Sequence, residues 1–385
     1  MSQKHRRPLP GATTNTPGTD GVDRACRLHD RAEAYRSQGK PAQAQVVAQR
    51  ALHLLETAAG PDHPDVANVL NTLAGVYEDQ GKYAEAERLY RRSVEIMEHT
   101  VGGDDVAQLR VQSLRHLARI SRVQGKYAQA EPLHRQALTL AEQALGPEHL
   151  EVASCLNDLA VLDKYTGQFA EAGRLCRRAL AITEKALGPD DPAVATLYHN
   201  LGGLEHARGR YARGEPFARR SVAIREHALG PEHPAVAAEM VALAALLDGQ
   251  GKYDEAEGLY RRVLAIFTQT VGPEHYEIAV NLNNLAALCQ AKGDAAEAER
   301  LYQQALRIKK KVLGPDHPDV AMTLNNLAVL YKAQGEYSKA ESLYQQALTI
   351  FETALGPTHP KVVTCRANYT QLLPQTRTAR SALHP

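Results

Sequence analysis

The chain has 385 residues, 44% hydrophobic and 23% charged, with 45 Lys and Arg against 44 Asp and Glu. A net charge of +1 argues against a dedicated nucleic-acid binder, which carries a basic excess. No apolar run reaches the roughly 18 residues of a membrane-spanning helix, so no membrane role is expected.

From the N-terminus, the charged start Met1 to Pro8 is not followed by an apolar stretch, so no secretory signal is expected. Residues 1–21, rich in Pro, Gly and Thr, read as a disordered tail. Five cysteines (Cys26, Cys155, Cys176, Cys289, Cys365) lie far apart without a C-x-x-C pair, and read as reduced thiols in a cytoplasmic protein. A turn glycine then recurs at Gly39, Gly81, Gly125, Gly167, Gly209, Gly251, Gly293 and Gly335, with steps of 42 residues except one of 44. A second series (Gly60, Gly102, Gly146, Gly188, Gly230, Gly272, Gly314, Gly356) is mostly followed by Pro, as in Gly230-Pro231-Glu232-His233-Pro234. The helix-breaking residues are thus confined to two places per period, and such a period has to be settled before any other reading.

Between breakers the pattern is helical. Val66, Leu70, Leu73, Ala74 and Tyr77 form one stripe at three- and four-residue steps, and Tyr83, Ala86, Leu89, Tyr90, Val94, Met97 and Val101 form a second. Gly60 suits a left-handed helix end, and Pro64 the first position of the next helix. Neither stripe can be buried alone, so the expectation is an all-α, right-handed solenoid of eight helix-turn-helix hairpins. The hairpins fall at about 22–59, 60–101, 102–145, 146–187, 188–229, 230–271, 272–313 and 314–355. A capping helix follows at 359–373, then a loose basic tail at 374–385. The two extra residues near Gly102-Gly103 suggest either a tolerated loop insertion or a softer joint.

Three segments point to a family: Leu70-Asn71-Thr72-Leu73-Ala74, Gln80-Gly81-Lys82-Tyr83 and Ala86-Glu87-Arg88-Leu89-Tyr90. They resemble a tetratricopeptide repeat. The 42-residue period and the linker Leu313-Gly314-Pro315-Asp316-His317-Pro318 are similar to the kinesin-light-chain-like class, and the Ala- and Arg-rich, Trp-free composition fits a bacterial member. A kinesin light chain also carries a long heptad segment before its repeats; residues 1–21 are too short for one, so a kinesin heavy chain is not expected as partner. The resemblance implies a protein-interaction scaffold whose first helices line a concave, peptide-binding groove. It also implies groove roles for the asparagines of its Leu-Asn-Asn-Leu-Ala motif: Asn283, Asn284, Asn325 and Asn326, with partial matches at Asn71, Asn157 and Asn200. An amide offers donor and acceptor alike and can bond a peptide backbone of any sequence, although it can equally satisfy neighbouring helix groups.

Other candidates read as structural. The linker histidines His63, His149, His233, His275, His317 and His359 are separated by two helix layers of roughly 8–10 Å each, too far to converge on one metal, and suit helix caps. Tyr83, Tyr127, Phe169, Tyr211, Tyr253 and Tyr337, with Tyr90, Tyr260, Tyr302 and Tyr344, repeat at fixed positions and read as packing between hairpins. No nucleophile, phosphate-loop or zinc motif is present, so no catalysis, cofactor or metal is expected. The third hairpin departs from the family by placing Arg115 and His116 where asparagines stand elsewhere. Arg119 and Arg122 share the face of Arg115 at i+4 and i+7. Lys164, His199 and His206 occupy matching positions on the next two hairpins, with Asp158 as the acid nearby, which predicts a basic track selecting acidic peptides. A solvated arginine face is the plainer alternative. The sixth hairpin offers Val241, Ala242 and Ala245 instead, an apolar stretch. Two other functions fit the same sequence: an intracellular peptide-sensing signalling receptor, and an accessory subunit of an enzyme complex.

Overall fold

In a computed structural model that describes residues 18–383, the chain forms seventeen helices and, among the described residues, no strand. α1 (Gly18–Ser37) packs on α2 (Pro41–Ala59) and α3 (Pro64–Asp79) on α4 (Tyr83–His99), followed by α5 (Asp104–Val123) and α6 (Tyr127–Leu145). Next come α7 (Leu150–Tyr165), α8 (Phe169–Leu187), α9 (Pro192–Ala207), α10 (Tyr211–Leu229), α11 (Pro234–Asp248) and α12 (Tyr253–Val271). The last are α13 (Tyr276–Ala291), α14 (Ala295–Leu313), α15 (Pro318–Ala333), α16 (Tyr337–Leu355) and α17 (Pro360–Leu383). The described residues form two compact units, one of residues 18–121 and 129–151, the other of 122–128 and 152–383. Within each, a first helix packs on its own partner and on the next first helix, as α1 does on α2 and α3, and α13 on α14 and α15.

The punctuation works as read, with two refinements. Gly60 has φ 93° and ψ 158°, beyond the left-handed helix and in a region open essentially to glycine alone. In all six linkers that keep the histidine, its Nδ1 accepts the N–H two residues on, as from Asp65 to His63 (3.2 Å) and Ala235 to His233 (3.0 Å). Asp191 does the same with a carboxylate oxygen, 2.8 Å from the Ala193 nitrogen. These side chains satisfy donors that every helix start leaves without an intrahelical partner. They are caps.

Element ends differ in two places. α1 begins at Gly18, four residues inside the segment read as tail, helped by Asp20 in its first turn. α17 runs on to Leu383 through Pro374, so the segment from 374 is helical where a tail was expected. One proline removes one backbone bond, and the Gln, Arg and Ala residues after it are good helix formers. Residues 1–17 of the expected N-terminal tail lie outside the described residues. Gly102-Gly103 sits inside the first unit, next to a fully exposed Val101, and the chain divides instead at Ser121/Arg122 and Glu151/Val152.

The core is made of the expected stripes, with the correction that Val101, read as the end of the second stripe, lies past the end of α4 and is exposed. Tyr90, Tyr260, Tyr302 and Tyr344 are buried, as are four of the five cysteines. The tyrosines just after the turn glycines, Tyr83, Tyr127, Tyr211, Tyr253 and Tyr337, are half-buried because they open the second helix at the turn edge, and Tyr211, Tyr253 and Tyr337 pack against the core from there. Between successive hairpins, one slot on the second helix faces one on the following first helix. In the second unit the pair is Arg225 and Glu239, or Lys309 and Thr323.

Lys309 is 4% exposed, and its Nζ donates to Thr323 Oγ1 (3.0 Å) and reaches the Asp319 carbonyl (3.4 Å), with no carboxylate partner among the described residues. Burial pushes its pKa below the ordinary 10.5, only partly offset by Asp319. Other hairpins fill this slot with buried Met97, Phe267 or Phe351. Lys309→Met is therefore expected to stabilise the protein by about 1–4 kcal/mol at pH 7, as replacing buried charge by a well-packed apolar group does. Because the folded-state pKa is the lower one, the cost of the lysine is fully present below it. That cost fades as pH rises toward 10.5. Urea denaturation of both proteins at pH 7 and pH 10 should show a gap that narrows at pH 10; a variant less stable at pH 7 would refute this account.

Candidate functional site

In the first unit, the residues read as a basic face are already engaged. The Arg119 guanidinium grips Glu78 with two bonds (2.8 and 2.6 Å) and donates to the Tyr90 hydroxyl at 3.2 Å. Tyr90 donates to the same carboxylate at 2.8 Å, and His116 stacks on the Tyr90 ring at 5.4 Å. Burial works against the Arg119 charge, but Glu78 more than compensates and raises its pKa. Arg115 donates to Glu151 at 2.8 Å. Two arginines of the expected track are thus tied down by carboxylates of neighbouring hairpins, and the acid facing the track is not Asp158 alone. Asn71 also departs from its expected place. Only 9% exposed, it turns inward and donates to Ser113 Oγ (3.1 Å), which is 2.9 Å from Ser93 Oγ.

In the second unit the asparagines form a ladder. Asn200 Nδ2 donates to Asn157 Oδ1 at 2.6 Å, Asn326 to Asn283 at 3.4 Å, and Asn368 to Asn325 at 3.4 Å, always 43 residues apart. The first amide of one hairpin therefore meets the second amide of the next, and neighbouring helices do absorb part of their bonding capacity. All of them, and Asn284, stay half-buried, so remaining donor and acceptor positions face outward from the first helices. His199 belongs elsewhere: its Nδ1 lies 2.7 Å from Glu239, a buried carboxylate that also accepts from Ser221 (2.7 Å) and Arg225 (2.7 Å). Val241, Ala242 and Ala245 are half-buried at the apolar stretch.

A different group remains uncompensated. The Arg122 guanidinium carbon lies 5.1 Å from the Tyr165 ring centre and Lys164 Nζ 5.5 Å from it, with Tyr127 packed against Tyr165 at 6.2 Å. Tyr165 is 54% exposed. Among the described residues, neither cation has a carboxylate within 4.0 Å. The aromatic ring face attracts both charges but leaves their donors open. Lys164 lines a small niche with Ala160, Val161, Ala172, Cys176, Asn200 and Leu204. The ammonium reaches α9 at Gly203, where a Cβ would stand 3.6 Å from it in ordinary contact. His206 stands one turn further along α9, exposed, with Tyr211 edge-on at 5.2 Å. Burial first, and then the Lys164 charge, lower its pKa below 6.5, against a weaker pull from Asp248. Burial likewise raises the Cys176 thiol to about 11, so it stays a neutral thiol. Tyr165 and Tyr127 were missed in the sequence because Tyr127 shares a repeat position with packing residues and Tyr165 ends its helix.

Among the described residues, no three His, Cys, Asp or Glu side chains converge as metal ligands do, and no helix is long and apolar enough to cross a membrane. The chain matches the tetratricopeptide repeat family over residues 23–99, 109–172, 163–226, 194–269, 277–353 and, through a second family description, 241–310. No curated protein is matched. Similar solved structures include a putative kinesin light chain of Podosopora anserina with nearly identical repeats (30% identity, 54% of this chain and 98% of that one, TM-score 0.44). A second is BtubC (BKLC) of P. vanneervenii (26% identity, 62% and 93%, TM-score 0.46). A third, a Rap protein complexed with competence and sporulation factor, shares the fold at 14% identity (88% and 98%, TM-score 0.57). The family accounts for the repeat, the paired helices and the ordered stacking seen in both units: this chain is a member of the tetratricopeptide repeat family, with neighbours among kinesin-light-chain-like repeat proteins.

Proposed function

We propose that this protein is a non-catalytic interaction scaffold, and that the first-helix face of its second unit binds an acidic peptide segment of a partner protein. Arg122 and Lys164 meet acidic side chains or a terminal carboxylate, and His206 borders the same site. Asn157, Asn200, Asn283, Asn284, Asn325 and Asn326 use their remaining amide positions on the peptide backbone. The observation that carries the reading is the pair of cations around Tyr165 with no carboxylate of their own. Arg115, His116, Arg119 and Asn71 are left to structural roles, because Glu151, Glu78, Tyr90 and Ser113 occupy them. A bond to a charged group contributes about 1.5–3 kcal/mol, so two such contacts outweigh several neutral amide bonds.

The test is calorimetric titration with an end-blocked hexaglutamate peptide at low salt, against hexalysine as control. Wild type should bind hexaglutamate in a salt-sensitive manner. Arg122→Glu/Lys164→Glu should bind at least about tenfold more weakly with an unchanged thermal transition, since every 1.4 kcal/mol is a factor of ten. Equal binding by the two proteins would remove the second-unit site from consideration.

A further inference from the structure

We propose that anion binding at this site is coupled to protonation of His206, so that the scaffold holds an acidic partner more tightly as pH falls from 7.5 to 5.5. The inference rests on the acidic-peptide reading and adds a regulatory element to it. Lys164 extends from α7 over Gly203 of α9, toward the turn of α9 that carries His206. Lys164, His206 and Asp248 stand at one repeat position on successive hairpins, so the imidazole feels an ammonium that, among the described residues, has no carboxylate bonded to it.

The charged and titratable groups around the ring can be named element by element. Lys164 faces it from α7, and Asp248 from the end of α11. Tyr211, at the start of α10, meets it edge-on. On α9 itself, Glu205 is paired with Arg208 at 3.3 Å. Asp248 acts on the ring in the opposite sense and less than Lys164 does, and burial raises its own pKa. In the empty site the balance runs against imidazolium: burial and Lys164 both act to keep the ring neutral.

An anionic group seated on Lys164 reverses the second of these effects. It cancels the ammonium's repulsion and adds attraction of its own, so the ring gains basicity on binding. By linkage, a ligand that raises a site's pKa binds the protonated protein better. The sign follows. Above both pKa values no proton is taken up and affinity is flat; as pH falls through the liganded pKa, affinity rises, until the unliganded ring protonates as well. Each unit by which the ligand raises the pKa is worth a factor of ten in affinity across that window.

Hexaglutamate binding is to be measured at pH 7.5 and 5.5 in two buffers of different ionisation enthalpy, for wild type and His206→Gln. The expected result is affinity several-fold to about tenfold higher at pH 5.5, with up to one proton taken up per peptide in wild type. The His206→Gln protein, whatever its affinity at pH 7.5, should lose both the rise between pH 7.5 and 5.5 and the proton uptake. Binding with the same pH dependence in both proteins would overturn the coupling and leave the acidic-peptide reading standing. Failure of wild type to bind at either pH would overturn both. As an independent readout, proton NMR of the His206 ring without peptide should show its pKa rising in Lys164→Met; an unchanged value would refute the role given to Lys164.

Discussion

Glu239→Ala is expected to destabilise the protein by about 3–5 kcal/mol, the largest single loss in the second unit. The carboxylate is 6% exposed and receives three bonds from three directions: His199 on α9, and Ser221 and Arg225 on α10. Removing it leaves the Arg225 guanidinium, 18% exposed, without a counter-charge; its other bond goes to the Thr196 hydroxyl. That is the case in which breaking a buried pair costs far more than the pair contributes. Burial alone would raise the Glu239 pKa, but the bonds from His199, Ser221 and Arg225 prevail and hold it below the ordinary 4.5. A depressed carboxylate contributes stability that is present above its unfolded value and lost as pH falls through the folded one. Urea denaturation at pH 7 and pH 3.5 checks both parts. Wild type should lead Glu239→Ala by several kcal/mol at pH 7, with a smaller lead at pH 3.5. A difference under about 1 kcal/mol at pH 7 would show that the cluster relaxes around the gap.

The slot pairs explain why the fold was legible while the site was only partly so. Helices, turns and caps depend on residues close in sequence, and each is repeated up to eight times, so a single lapse such as Asp191 for histidine is read against its equivalents. Arg119 and Glu78 are 41 residues apart, and nothing in either helix alone shows that they meet. Arg115, Arg119 and Arg122 share one face by helical spacing, but one helix taken alone shows nothing of the carboxylates its neighbours present. A stricter use of the repeat would have found one of them: Glu78 stands at the position of Arg122 one hairpin earlier, where Lys164 and His206 also stand. The amide ladder could be anticipated in the same way, because first and second asparagines of adjacent hairpins are 43 residues apart each time. The exposed Tyr165 had no such cue. Its position is filled by Asp79, Ala207, Gly249, Ala291 and Ala333 elsewhere, so the aromatic ring between two cations is private to one hairpin.

That difference between shared and private features separates the arginines in experiment. Arg119→Glu should cost about 3–5 kcal/mol, because it sets a second carboxylate against Glu78, whose side chain is 8% exposed, beside the buried Tyr90 hydroxyl. Arg122→Glu should change stability by less than about 0.5 kcal/mol, since its guanidinium lies against an exposed ring and, among the described residues, has no carboxylate within 4.0 Å. The charge swap Arg119→Glu/Glu78→Arg should recover a substantial part of the loss, an outcome open to an ion pair and not to a solvated arginine face. Chemical denaturation of the four proteins decides it. If Arg119→Glu were as stable as wild type, its contact with Glu78 would contribute nothing, and Arg119 would return to the ligand-binding surface alongside Arg122. If the expected order holds, a triple charge reversal of Arg115, Arg119 and Arg122 cannot test ligand binding, because it unfolds part of the first unit before any peptide is added. The discriminating variants for function are then those at Arg122, Lys164 and His206, where charge can be changed without removing a partner from a buried carboxylate.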